Sequence, residues 1–302
     1  MSYALLFPGQ GSQHAEMLPW LDSQAAAQPA LANMAQAIGT DWRTRLQDPN
    51  FLHANAIAQP LVTGTALAAW AVLQPLLKTA PAIVAGYSVG ELPAFACAGV
   101  FDVAAALSLA TQRATAMDRA GAGAVTGLLS VSGLPAEQVA APLECAIRLG
   151  PMHHIFAGRR IDLEAADPLL TAAGAQCKWL EVRLASHSSW MAAASVEVAA
   201  LLQSMPLAAP DCPLATNYSG SATRRVEVLR RDLAQQISHT VEWAACMEAV
   251  AERGVRCVLE LGAGHALAKL WAQRFPEIPV RSLEDFRSPE GVAAWVRRHA
   301  TD

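Results

Sequence analysis

"AIVAGYSVGELPAFACAG" runs from Ala82 to Gly99 and decides how the chain is read. An apolar stretch the length of a buried strand enters a Gly-x-Ser-x-Gly turn at Gly86, Ser88 and Gly90, and a helix-compatible segment follows. Strand, sharp turn and helix in that order form the local shape of a nucleophile elbow on a parallel sheet. Three fixed positions occur by chance in roughly one chain of this length in ten, so the context carries the reading more than the pattern does. Pro93 sits close to the start of the helix, where it costs at most one backbone bond.

Working outward, "YALLF" (Tyr3 to Phe7) is a second buried strand, delivered into the loop "PGQGSQ". "VRCVLELGAG" repeats the strand-then-glycine-turn pattern near the C-terminal end. Helices are expected near 25–38, 59–77 and 266–274, and from the cap Asp102 to about Met117. This alternation predicts an α/β fold with a parallel sheet covered by helices. Between Gly123 and His187 the texture changes. "AVTGLLSVSGL", "HHIFAG" and "KWLEVRL" read as short strands, and residues 137–145 and 162–173 read as helical, which describes a small α+β insertion.

Composition narrows the class. The 302 residues are 53% apolar and 16% charged with a formal net charge of -4, which favours a compact enzyme and supplies no footprint for a nucleic-acid backbone. Residues 50–77 lack charge, but Asn50, His53, Asn55, Gln59, Pro60 and Pro75 argue for a buried helix, so no membrane partner is expected. The start "MSYALLFPGQ" has no basic region and too short an apolar run for a secretory signal. Six scattered Cys form no ligand or disulfide pattern, so a reducing cytoplasm and no metal are expected.

A serine nucleophile needs a base. His187, in "LASHSSW" after an apparent strand, stands at a position suited to catalysis; His14, His265 and the pair His153–His154 are rivals. Arg113 is the only charged residue between Asp102 and Asp118 and borders an apolar helix face. It either snorkels to solvent or faces a pocket and grips a carboxylate. "GQGSQH" and "GAGHAL" both lack the last glycine of a dinucleotide fingerprint.

Taken together, "FPGQGSQ" (7–13), "GYSVGE" (86–91), Arg113, "SH" (186–187), "QISHTVEW" (236–243) and "ELGAG" (260–264) resemble the malonyl-CoA:acyl-carrier-protein transacylase family, over nearly the whole chain. The resemblance implies an α/β-hydrolase-like large domain of residues 1–123 and 186–302 with a ferredoxin-like insertion, residues 124–185. It implies Ser88 as the acyl-accepting nucleophile, His187 as its base without a triad carboxylate, and Gln236 as the residue that orients His187 by hydrogen bonding. Gln10 and Val89 match the oxyanion-hole positions, and Arg113 matches the arginine that binds the malonyl carboxylate. No cofactor is implied; the partners are malonyl-CoA and an acyl carrier protein, in fatty-acid or polyketide synthesis or as the carrier subunit of a malonate decarboxylase. A thioester hydrolase on the same elbow and a silent docking subunit are the competing readings. Two departures stand out: Tyr87 replaces the usual His before the nucleophile, and the insertion looks trimmed.

Overall fold

The computed structural model of the chain describes residues 2–139 and 142–301. Its strands, in chain order, are β1 (Tyr3–Phe7), β2 (Ile83–Gly86), β3 (Thr126–Ser132), β4 (Glu144–Gly150), β5 (His153–Arg159), β6 (Gln176–Trp179), β7 (Leu214–Ala215), β8 (Ala222–Thr223), β9 (Cys257–Glu260) and β10 (Val280–Ser282). One sheet has the order β10-β9-β1-β2-β7-β8 and is parallel except for its last pair. Strand β1 is buried throughout because the sheet is covered on both faces: Tyr3, Leu5 and Phe7 enter one core, Ala4 and Leu6 the other. Its apolar run is the sequence signature of that double burial.

The helix Asn55–Leu77 crosses the larger core and starts four residues ahead of the expected start at Gln59. By length and composition it could cross a membrane, yet 83% of its most apolar window is buried inside the protein. The helix Val103–Gly121 begins at Asp102, whose Oδ1 accepts the Ala105 N–H at 2.7 Å, and runs past Met117. The helix Ala266–Arg274 matches its expected span.

The second sheet, antiparallel with the order β4-β5-β3-β6, lies between the two stretches of chain that build the parallel one. Order and direction are those of a ferredoxin-like unit, its second helix being Arg160–Ala172. Among the described residues the place of the first helix is taken by the single 3₁₀ turn Ala136–Gln138. Of the helix expected over 137–145 the described residues form none: Ala140 and Ala141 lie outside them, and Glu144 already begins β4. Tertiary pairing decides this. β4 is bonded to β5 on one side and to Val241 on the other, with Val241 N–H donating to Ala146 O at 2.8 Å and Arg148 N–H to Val241 O at 2.9 Å.

The expected strand "KWLEVRL" is also shorter than its pattern. It leaves the sheet after Trp179, and Leu180, Val182 and Leu184 then pack against the two cores of the larger layer. The segment before His187 is consequently an irregular crossing rather than a strand, anchored where Ala185 N–H donates to Thr126 Oγ1 at 3.0 Å.

Candidate active site

The parallel strands end together, and the loops leaving them converge on one edge. At the end of β2, Ser88 opens a short 3₁₀ turn that leads into the helix Glu91–Cys97. Its φ of 56° is left-handed, a conformation that costs a non-glycine residue about 1 kcal/mol or more. Both flanking glycines are required by contact. A Cβ at Gly86 would lie 2.0 Å from Gly90 O, and one at Gly90 would lie 2.3 Å from Phe7 O, so the elbow closes tightly against β1. Pro93 falls in the first helical turn, where a missing N–H breaks no obligatory bond.

Ser88 Oγ is 2.7 Å from His187 Nε2. His187 is likewise left-handed, with φ 62°, and is held by two consecutive main-chain carbonyls: its N–H donates to Ile237 O at 2.9 Å and its Nδ1–H to Gln236 O at 2.5 Å. A carbonyl only accepts, so Nδ1 carries the proton and Nε2 is free to take one from Ser88. Burial, reinforced by the nearby Arg113 charge and opposed by the Gln236 bond, lowers the imidazole to about 3 and keeps it neutral. Gln236 thus contacts the histidine through its backbone. Its side-chain Oε1 instead faces Arg113 Nη2 at 3.4 Å.

Arg113 does not snorkel. It is 2% exposed, in the middle of the buried stripe of its helix. Nη1 donates to Gln59 Oε1 at 2.6 Å, Nη2 lies 3.5 Å from Ser88 Oγ, and Nε has no partner. Among the described residues no carboxylate reaches salt-bridge distance, and burial pulls the guanidinium down to about 10, with only partial relief from the Glu91 charge. A buried cation without a counterion beside a nucleophile-geometry serine is a site prepared for an anion.

Ser88, His187 and Arg113 line a cavity of about 40 Å³ together with Gln10, Tyr87, Ser186 and apolar residues that include Met117 and Leu128. The Gln10 N–H, in the loop after β1, and the Val89 N–H, next to Ser88, donate to no other described residue. Tyr87 holds the elbow to β1 through its N–H to Phe7 O at 2.9 Å, and its ring meets Trp243 edge-on at 5.2 Å. None of the rival histidines approaches Ser88: His14 pairs with Glu284, His265 lies by Asp285, His153 bonds Ser130 and His154 bonds Pro151 O.

Two residues of the site escape a reading of motifs. Asn217 follows β7, the sheet neighbour of β2; its Oδ1 accepts the Ser88 N–H at 2.7 Å and its Nδ2 donates to Gly86 O at 2.6 Å, so one amide clamps both ends of the elbow. Glu91 lies beneath it, accepting the Asn217 N–H at 2.7 Å, and burial pushes its carboxyl well up. Gln59, the partner of Arg113, is positioned by a bond of Nε2 to Asn55 Oδ1 at 2.7 Å. Gln59 is an isolated polar residue in the apolar run "AIAQPLV", and that isolation is its one signal; Asn217 lies in the polar stretch "TNYSGS", where nothing in the sequence sets it apart.

Fold and site together define an α/β acyltransferase. The chain belongs to the acyl transferase domain family, which matches residues 4–299. It is 32% identical over 298 residues to the malonyl CoA-acyl carrier protein transacylase of Mycobacterium tuberculosis (strain ATCC 25618 / H37Rv), covering 93% of this chain and 96% of that protein. The crystal structure of the acyl-carrier-protein S-malonyltransferase of Burkholderia pseudomallei 1710b superposes with a TM-score of 0.89 at 28% identity, covering 97% of this chain and 100% of that one. A malonyl-transacylase solved in complex with its type II PKS acyl-carrier protein superposes with a TM-score of 0.90 at 27% identity, covering 97% and 99%.

Proposed function

We propose that the protein transfers a malonyl group from malonyl-CoA to the phosphopantetheine thiol of an acyl carrier protein through an acyl-Ser88 intermediate. One observation carries the reading: Ser88 Oγ lies between a neutral His187 Nε2 and an unpaired, buried Arg113. A neutral acyl group leaves that guanidinium unpaired; a malonyl group supplies its carboxylate.

His187 Nε2 takes the Ser88 proton as Oγ attacks the thioester carbonyl carbon. The free Gln10 and Val89 N–H groups receive the developing oxyanion, and the Gln236 main-chain carbonyl stabilises the imidazolium through Nδ1. Collapse of the tetrahedral species breaks the C–S bond, and the departing CoA thiolate takes the proton back from the imidazolium. The carrier thiol then attacks the serine ester. His187 accepts the thiol proton and returns it to Ser88 Oγ as the C–O bond breaks. Loading and transfer use the same groups in turn, which makes the kinetics ping-pong.

The test uses radiolabelled malonyl-CoA followed by a phosphopantetheinylated carrier protein. Label that appears on Ser88 and moves to the carrier thiol is the expected result. Rapid release of free malonate would favour the hydrolase reading, and an unlabelled protein would refute both.

A further inference from the structure

A second, larger cavity of about 620 Å³ continues outward from the inner one, and the two share Gln10, Tyr87, Ile155 and Leu180. Its floor includes the loop of residues 8–12 after β1, and two further elements face each other across it. One is a single face of the antiparallel sheet, where the registers Ser130↔Ile155, Ser132↔His153, Ser130↔Lys178 and Ser132↔Gln176 set these side chains side by side. The other is the helix Ala266–Arg274, which presents Ala266, Lys269, Leu270 and Gln273, a stripe at helical spacing.

The charges of this groove are unusual for the molecule. The chain has a net charge of -4 and only three lysines, Lys78, Lys178 and Lys269. Two of the three line the groove, one from each wall, and no carboxylate lines it. Both are exposed, and neither forms an ion pair with any described residue. The N-terminal N–H groups of the helix are not the source of positive potential, since Glu260 already accepts those of Leu267 and Ala268 at 3.1 and 2.8 Å. The cationic groups are also segregated: Arg113 lines only the inner cavity, and the two lysines line only the outer one.

We infer that Lys178 and Lys269 form a phosphate clamp that holds the 4′-phosphate end of the pantetheine arm while its thioester end lies at Ser88. This inference rests on the acyl-transfer reading and deepens it: the preferred substrate is anionic at both ends, carboxylate at Arg113 and phosphate at the lysine pair. That phosphate is common to CoA and to the carrier's prosthetic arm, so one clamp serves both half-reactions. Tyr87, shared by both cavities, stands at the neck between the ends.

The test compares thioesters with and without the phosphate. Acylation of Ser88 is followed by rapid quench and intact-mass measurement, with malonyl-CoA and with malonyl-N-acetylcysteamine, in the wild type, Lys178→Met, Lys269→Met and the double variant. Solvent-exposed charge contacts of this kind predict a loss of about fivefold per lysine and about twentyfold for the pair in kcat/KM for malonyl-CoA, shrinking at high salt. The phosphate-free thioester should change by less than about twofold, which also shows that the variants are folded. In the second half-reaction, 4′-phosphopantetheine should lose its advantage over pantetheine as the acceptor thiol. Equal losses with both thioesters, or no loss with either, overturn the clamp. An effect confined to loading would put the contact on the nucleotide part of CoA and overturn the shared-phosphate assignment. A wild type acylated by neither thioester would refute the acyl-transfer reading itself, and the clamp with it.

Discussion

Replacing Arg113 by Met removes the charge while keeping an unbranched side chain in the same buried stripe. The magnitude follows from the guanidinium's own state. Burial lowers its pKa to about 10, which at about 1.4 kcal/mol for each tenfold change is a penalty of roughly 3 kcal/mol on the charged form. A substrate carboxylate relieves this penalty, and a buried charge-assisted pair is worth about 3–5 kcal/mol against its broken form. Arg113→Met should therefore lower kcat/KM for malonyl loading by about 10²- to 10³-fold. Acetyl-CoA never paired the charge, so acetyl loading should stay within about threefold or rise. Stability should change little, because loss of the donor to Gln59 Oε1 costs about 1 kcal/mol while removal of an unpaired buried charge offsets it. Single-turnover acylation with both thioesters, alongside urea denaturation, measures all three. Parallel losses for malonyl and acetyl groups, with stability intact, would refute the carboxylate role.

Five further outcomes are expected. Gln236→Ala should reduce loading by less than about tenfold, since the bond to His187 comes from the main chain; a loss near that of His187→Ala would show that the side chain orients the base. With His187 lowered to about 3, kcat/KM for loading should be flat from pH 8 to 5, and a break near 6.5 would contradict the buried neutral base. The same shift has a stability consequence: between 3 and 6.5 the unfolded chain binds a proton that the folded one does not, so this contribution is complete above pH 6.5 and is lost as pH falls toward 3, as urea midpoints would reveal. Asn217→Leu leaves the Ser88 N–H and Gly86 O without partners and should cost about 2–4 kcal/mol in denaturant unfolding together with a large loss of acylation; an unaltered variant would remove Asn217 from the elbow. Gly90→Ala places a Cβ 2.3 Å from Phe7 O and should prevent a native elbow, seen as loss of soluble folded protein or of Ser88 acylation; a fully active variant would refute the close approach.

How much was legible differs from element to element. The elbow was readable because its causes are local: an apolar run, two glycines whose Cβ atoms would strike backbone, and a helix start all lie within a few residues of Ser88. The cap Asp102 and the helix Ala266–Arg274 were readable for the same reason. The failures share the opposite cause. Residues 144–150 form a strand because β5 and Val241 pair with them from both sides, and the crossing at 180–185 stops being a strand because it packs against two cores at once.

By itself, then, the sequence determined the α/β alternation, the serine turn and, through its resemblance to a family, the set of residues worth watching, since spacing and turn chemistry act over short stretches of chain. Only the tertiary structure decided which of five candidate histidines meets Ser88, that Arg113 is buried without a counterion rather than snorkelling, that Gln236 meets His187 through its carbonyl, and that Asn217 clamps the elbow from 129 residues away. Those facts depend on strand order and on what surrounds a side chain. Burial, partner and dielectric are properties of the assembled fold, and it is these that turn a serine in a glycine turn into a prepared site.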